Sequence, residues 1–435
     1  MSPPSDTPDA LSGVLAEVRP LADRFGRAGH RLYLVGGVVR DLMAGLGDAA
    51  GPQVDIDLTT DADPAEIERL LTGWADAVWT QGARFGTVGS RFGDRTYEIT
   101  THRAEVYVPD SRKPHVVFST DVTEDLARRD FTVNAMAREL PDGALVDPYG
   151  GADDLVARRL RTPLDPEVTF SEDPLRMVRA ARFVASHELE PDPAVVAAMG
   201  AMAERMEIVA TERIRAELDR LVVTERPSPG LVLLRSTGLL AYVLAEHATM
   251  DDGSWAELVE RVDRTPADLV ARLAVLLDGV VDAATGLRRL RSSNEQIGAV
   301  RAVRRALTVL GDEPGSGAEP GAWPTDAATR RFVAAAAGHT EAALAAVAGE
   351  RGAPAAVALT AALERLAGEG ELDDLGPQLD GAEVMALLGL PAGPQVGEAL
   401  GFLQELRLAE GRLARSDLED RLRVWLVSGQ PGTSW

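Results

Sequence analysis

Hydrophobic and polar positions change rhythm once along this chain, near residue 150. Before it, short apolar runs alternate with glycine, proline and acidic breaks. Leu32-Tyr33-Leu34-Val35 predicts a strand that Gly36-Gly37 ends, and Val38 to Ala44 predicts a helix. Val54 to Leu58 alternates aliphatic and acidic side chains, the pattern of a half-buried strand, and this sets Asp55 and Asp57 on one face. Asp63 followed by Pro64 predicts a helix start, with Asp63 as N-cap and Pro64 in the first turn. Arg95 to Thr101 predicts another strand. From about Asp153 onward the pattern is helical, in long Ala/Leu/Arg/Glu stretches with 3.6-residue periodicity.

These rhythms predict an α+β fold. A small head with a mixed sheet occupies residues 25–150. An all-helical neck (151–225), body (226–310) and tail (326–435) follow, and the Gly/Pro-rich stretch 311–325 joins body to tail. Residues 1–24 read as a partly disordered lead. A second break, Pro391 to Pro394, separates two apolar helical segments.

Composition narrows the function classes. The chain has 435 residues, 45% of them hydrophobic and 26% charged, as expected of a globular protein of several domains. No apolar run approaches the roughly 18–20 residues that a membrane span needs, and MSPPSDTPDA lacks the layout of a secretory signal. A cytoplasmic protein without a membrane or an obligate protein partner is expected. With no cysteine there is no disulfide framework or thiolate metal site, and six scattered histidines do not make an imidazole site. A formal charge of −23 excludes non-specific nucleic-acid binding over the whole surface but leaves room for a local basic groove. Lys113 is the only lysine, so every other basic residue is arginine or histidine.

The strongest chemical signal is Gly36-Gly37-Val38-Val39-Arg40-Asp41 followed by Asp55-Ile56-Asp57. Carboxylates two residues apart on a strand point the same way, roughly 6–7 Å apart at the backbone. They offer hard oxygen ligands to a pair of Mg²⁺ ions, which can activate an attacking hydroxyl and stabilise a leaving pyrophosphate. Gly36 and Gly37 at a strand-to-helix turn let backbone N–H groups approach a triphosphate, and Arg40 in the first helical turn is placed to fork onto phosphate oxygens. An Asp-x-Asp pair alone is more often a solvated strand edge or a turn. The ordered set is the informative feature, and no Walker-type G-x-x-x-x-G-K-[ST] accompanies it.

In this order the motifs resemble the class II CCA-adding tRNA nucleotidyltransferase and bacterial poly(A) polymerase family, within the polymerase-β-like superfamily. LVGGVVRDLMAG and DIDLTT are followed by YEITTHR (97–103), EDLARRDFTVNAMA (124–137), DPYGGADDL (147–155), EDPLRMVRAARF (172–183) and ERIRAEL (212–218). The resemblance covers about residues 30 to 240. It implies a polymerase-β-like head and template-independent addition of CCA to tRNA from CTP and ATP. Asp55 and Asp57 would be the catalytic, metal-holding acids, with Glu98 as a third. Arg129 and Asp130 match residues near the ribose and triphosphate. Glu172-Asp173-Pro174-Leu175-Arg176 matches the base-reading motif, with Arg179 and Arg182 following at steps of three. A carboxylate beside a guanidinium suits cytosine and adenine, which pair an amino donor with a ring-nitrogen acceptor. An ordinary helix cap explains Asp173 as well.

Arg103 to Phe118 resembles the family's flexible loop, with Arg103, Tyr107, Asp110 and Arg112 at matching spacing, which favours full CCA addition over partial addition. Arg288, Arg289, Arg291, Arg301, Arg304 and Arg305 form a basic island with one acid, Glu295, and are candidate tRNA backbone contacts. Asp380 to Leu400 resembles the family's C-terminal segment, expected to help hold tRNA. A poly(A) polymerase is the rival within the class, and a non-catalytic tRNA-binding protein the rival outside it.

Overall fold

The computed structural model describes residues 7–45, 55–106, 115–280, 283–311 and 323–428. Two compact units emerge, one of Met1–Val209 with Leu233–Tyr242, the other of Ala210–Val232 with Val243–Trp435. The division therefore falls at Val209, whereas the sequence placed boundaries at 150 and 225. Head and most of the neck are one unit.

The chain enters the first unit through helix α1 (Thr7–Arg27), which takes up most of the stretch read as a partly disordered lead. Val14, Val18, Leu21 and Phe25 lie at helical spacing and are fully buried in the head core, so the helix is held by the sheet it covers. Glu17 on the same helix accepts from the Tyr97 hydroxyl at 2.5 Å and pairs with Arg95 at 2.7 Å.

Next come β1 (Leu32–Val35), α2 (Gly37–Met43), β2 (Ile56–Thr60), α3 (Pro64–Leu71), β3 (Ala77–Trp79), β4 (Thr87–Phe92) and β5 (Arg95–Thr101). Asp63 caps α3 as expected, accepting from the Glu66 N–H at 2.8 Å. Hairpin strands β6 (Arg103–Val106) and β7 (His115–Phe118) follow, then α4 (Val122–Ala127), β8 (Ala137–Glu139) and β9 (Leu145–Val146). Seven strands make one sheet in the order β3-β4-β5-β2-β1-β8-β9. The sheet is mixed because β2 and β5 run parallel while its other neighbours are antiparallel.

Alternation then decides what each face carries. Leu32, Leu34, Ile56, Leu58, Val88, Tyr97 and Ile99 point into the core beneath α1, α2 and α3. Tyr33, Val35 and Ala137 point to the opposite face and pack with Val122 and Leu126 of α4. On that second face, Asp57 and Glu98 stay exposed.

The neck carries α5 (Gly151–Val156), β10 (Arg159–Leu160), α6 (Pro166–Glu172), α7 (Leu175–His187), β11 (Glu190–Pro191) and α8 (Pro193–Ala201). It is not wholly helical, since β10 and β11 form a short parallel ladder. The ladder stayed invisible in sequence because a two-residue strand has no period.

The second unit is helical. It begins with α9 (Thr211–Val222); α10 (Ser228–Ser236) and α11 (Leu240–Val243) cross the unit boundary. It continues through α12 (Asp252–Arg264), α13 (Leu269–Leu276), α14 (Ala283–Arg289), α15 (Asn294–Gly311), α16 (Asp326–Ala336), α17 (Thr340–Arg351) and α18 (Ala353–Gly368). The last three helices are α19 (Gly381–Leu388), α20 (Pro394–Glu410) and α21 (Arg415–Val427). Most of the Gly/Pro-rich stretch 311–325 lies outside the described residues. The break before Pro394 is present, and α19 opens on a capping box between Asp380 and Glu383. No single helix among the described residues is long and apolar enough to cross a membrane.

Candidate active site

Register brings the acids together. Asp57 in β2 is the direct neighbour of Glu98 in β5 across their parallel pairing. Asp55 stands one residue before β2, which starts at Ile56 and runs to Thr60, two residues beyond the predicted end. Ile56 between the two aspartates is buried and both acids are exposed, as the alternation required. The Asp57 pKa is raised, first because the surrounding protein crowds its carboxylate although the residue is open at one side. The negative charges of Glu98 and Asp55 raise it further, against Arg129, which lowers it. A group held this way gains from a cation beside it.

Among the described residues no three His, Cys, Asp or Glu side chains stand close enough to form a metal cage. Asp55, Asp57 and Glu98 fit divalent ions by donor chemistry and by register, as separate oxygen donors on one open face.

Gly36 closes the site on the β1 side. Its φ of 77° and ψ of −142° belong to glycine alone. A Cβ there would lie 3.2 Å from Arg129 Nη1 and 3.4 Å from Asp57 Oδ2, so the turn, the arginine and the acid share one small space. Gly37 begins α2 directly after it. Arg129 also reaches Asp125 at 3.5 Å.

Arg40 is not the free phosphate fork that its helix position suggested. It is 7% exposed, donates to Asn134 Oδ1 at 2.6 Å and to Asp41 Oδ1 at 2.7 Å, and stands over the Phe183 ring at 5.2 Å. A guanidinium this buried must find acceptors inside the protein. Asn134 passes the connection on, donating to Asp130 Oδ1 at 2.9 Å. Asp130 is also buried and meets Arg179 at 2.6 Å. Burial alone would raise the Asp130 pKa, but the Arg179 charge and the Asn134 hydrogen bond bring it below the usual carboxylate range. Asp41 is likewise held low, burial being outweighed by His187 and Arg40.

Asp173 lies between α6 and α7, and its Oδ1 accepts the Leu175 N–H at 3.2 Å, so it caps α7 although Pro174 is the flanking residue. Arg176 donates to Glu172 at 2.9 Å, to the Arg128 carbonyl at 2.6 Å and to the Thr169 carbonyl at 3.1 Å. Its acidic partner in this structure is thus Glu172, one turn away. Arg179 reaches Asp130, and Arg182 stacks on Phe183 at 4.5 Å. Three guanidiniums, from Arg40, Arg179 and Arg182, surround that one buried ring. Asn134 and Phe183 were missed in the sequence. The available signals were a four-residue step from Asp130 and an aromatic among arginines.

The segment expected to be a flexible loop is in part the β6–β7 hairpin. Arg103 donates to the Phe85 carbonyl at 2.9 Å, and its N–H reaches Asp125 at 3.3 Å. Tyr107, Asp110 and Arg112 lie outside the described residues.

In the second unit the basic island divides. Arg289 pairs with Glu246 at 3.0 Å, Arg291 pairs with Glu212 at 2.6 Å, and Arg304 donates to the carbonyls of Leu277 and Val280. Arg288, Arg301 and Arg305 are exposed. Arg301, Arg304 and Arg305 line an open pocket of about 530 Å³ beside Thr308.

The chain is similar to known proteins along most of its length. A family described as "Poly A polymerase head domain" matches residues 32–161, and one described as "Probable RNA and SrmB- binding site of polymerase A" matches residues 188–250. The CCA-adding enzyme of Levilactobacillus brevis is 35% identical over 289 residues, 65% of this chain and 70% of that enzyme. The CCA-adding enzyme of Limosilactobacillus fermentum is 38% identical over 232 residues, 53% of this chain and 56% of that enzyme. The crystal structure of Bacillus stearothermophilus CCA-adding enzyme in complex with CTP is 26% identical with a TM-score of 0.75, over 97% of this chain and 99% of that one. Thermotoga maritima CCA-adding enzyme complexed with tRNA is 19% identical with a TM-score of 0.65, over 95% of each chain, a likeness of fold. Head, neck and a relative matched along 70% of its own length converge, and the chain belongs to the CCA-adding enzyme family of tRNA nucleotidyltransferases.

Proposed function

We propose that this chain adds CCA to the 3′ end of tRNA without a template, using CTP and ATP in the cytoplasm and releasing pyrophosphate. The observation that carries the reading is the pairing of Asp57 with Glu98 on an open sheet face, with Asp55 two residues away. Asp55 and Asp57, with Glu98 alongside, would hold two Mg²⁺ ions, which when bound supply Lewis acidity to the attacking 3′-hydroxyl and the leaving pyrophosphate. Gly36 leaves room for the triphosphate, Gly37 offers backbone N–H groups, and Arg129 meets its charge beside Asp57. Arg40 and Asp130, tied through Asn134, keep the glycine turn and the ribose side in fixed relation.

Base choice rests on Asp173 and Arg176 at the start of α7, with Arg179 and Arg182 behind them. An acceptor beside donors matches the amino and ring-nitrogen edge of cytosine and adenine. The carbonyl of guanine or uracil would face the Asp173 carboxylate with no proton between, a mismatch of about 1–3 kcal/mol or more for a charged group. Arg103, Tyr107, Asp110 and Arg112 belong to the segment that serves the change from C to A. The exposed Arg301 and Arg305, with Arg288, are the tRNA backbone contacts that the body offers.

A Mg²⁺-dependent incorporation assay with labelled CTP and ATP on tRNA lacking its CCA end tests the reading. Label from CTP and then ATP, stopping after three residues, is the expected result. Long runs from ATP alone would instead identify a poly(A) polymerase, a stop after C or after A alone a partial-addition enzyme, and no label a binding protein.

A further inference from the structure

The row of residues that begins with Asp57 and Glu98 does not end there. Glu98 in β5 is paired with Gly89 in β4, and Gly89 is paired with Trp79 in β3. Direct cross-strand neighbours project to the same face, so Asp57, Glu98, Gly89 and Trp79 form one line across four strands on the acidic face. Strands lie about 4.8 Å apart, which would leave Trp79 two spacings from Glu98. The missing side chain at Gly89 lets the ring close one of those two spacings. A Cβ at Gly89 would fall 2.0 Å from Trp79 Nε1 and 2.3 Å from its Cε2, so the indole leans across β4 into the space beside Glu98. Gly89 is buried under the ring, while Trp79 itself is only half-buried. Arg91, two residues along β4 and therefore on the same face, is exposed and forms no ion pair among the described residues.

An aromatic ring over the glycine beside Glu98 in this row, with an arginine on the same strand face, has the chemistry of a platform for an unpaired nucleotide. The incoming nucleotide is claimed from the other side, by Gly36 and Arg129 near Asp57. We propose that Trp79, laid over Gly89, is the stacking shelf for the 3′-terminal base of the RNA acceptor, with Arg91 meeting that nucleotide's phosphate. This rests on the nucleotidyl-transfer reading of the same site. It assigns the Glu98 side of the acidic row to the acceptor and the Gly36 side to the nucleoside triphosphate. Trp79 acts here as a positioning residue for the attacking end.

The test uses the full chain and an acceptor-stem minihelix that ends at the unpaired base preceding CCA, with 2-aminopurine as that base. Stacking on Trp79 quenches its fluorescence. Wild type is expected to quench. Trp79→Ala should lose the quenching, raise the KM for the minihelix about 5- to 100-fold, and leave the KM for CTP unchanged. Trp79→Phe keeps an aromatic face and should restore much of both signals. Gly89→Ala, whose methyl collides with the indole, should act like Trp79→Ala although the tryptophan is still present. Equal quenching by wild type and Trp79→Ala with an unchanged minihelix KM would overturn the shelf, and so would equal losses for minihelix and CTP. Incorporation of CTP by a wild type that does not quench sinks the shelf alone. Quenching without any incorporation sinks the nucleotidyl-transfer reading, and the shelf's role toward an attacking end falls with it.

Discussion

Arg179 directs both Nε and Nη2 to the same oxygen of Asp130, at 2.9 and 2.6 Å. Asp130 is 8% exposed, so its charge depends on that guanidinium and on Asn134. Replacing Arg179 by Met leaves a buried carboxylate without its cation, a loss of about 3–5 kcal/mol that urea unfolding would read. Because Asp130 titrates lower in the folded chain, its contribution is complete above the carboxylate's unfolded pKa, about 4. It disappears as pH falls through the lower folded value. The stability gap between wild type and Asp130→Asn should therefore close in that acid window and stay constant above it. A gap independent of pH would contradict the charge assignment.

Asp57 presents the opposite sign. Its folded pKa is raised, so the ionised carboxylate opposes folding. That penalty is absent below about pH 4 and grows as pH rises through the folded value. Asp57→Asn is expected to unfold at higher temperature than wild type at neutral pH, while incorporation of CTP drops by about 10³-fold or more. Calorimetry and the incorporation assay on one preparation check both halves. Lower stability of the variant at neutral pH would refute the first.

Gly36→Ala combines two insults. The backbone conformation costs about 1–3 kcal/mol for a residue with a side chain, and the new methyl contacts Arg129 and Asp57. Activity should fall by about 100-fold, with a rise in KM for both CTP and ATP. Steady-state kinetics alongside thermal unfolding separates the site effect from the strain.

Two kinds of arginine in α15 should respond differently. Arg301 and Arg305 are exposed, so converting both to Ala should leave stability within about 0.5 kcal/mol. The double change should weaken tRNA binding and make its salt slope shallower by about one for each phosphate that is no longer neutralised. Arg304 instead fastens the Leu277 and Val280 carbonyls, and Arg304→Ala should lower stability by about 1–3 kcal/mol. Binding measured at several salt concentrations, with urea unfolding, distinguishes them. An unchanged salt slope in the double variant would remove these residues from the tRNA surface.

Much of the head was legible in the sequence because alternation and glycine leave strong local traces. Leu32 to Val35, the Gly36-Gly37 turn, Asp63 as a cap and Arg95 to Thr101 all fold as their patterns require. What remained hidden depends on residues far apart in sequence. The α1 stripe of Val14, Val18, Leu21 and Phe25 was readable, but the polar, proline-rich opening of the chain masked it. Arg40 looked free in sequence, since Asn134 and Phe183 lie 94 and 143 positions downstream and only folding brings them to it. The acidic partners within the basic island stayed hidden for the same reason. Glu212 and Glu246, which neutralise Arg291 and Arg289, come from other helical segments.

The parallel ladder of β2 on β5 has a consequence for how this protein can go wrong. Because side chains alternate along a strand, shifting β2 by one residue would carry Asp57 into the apolar layer and turn Ile56 and Leu58 outward. The error that would dismantle the acidic row is therefore also the one that the hydrophobic layer resists most strongly. Misaligned chains are selected against before chemistry is ever attempted, and a molecule that has folded at all has its acids facing the right way.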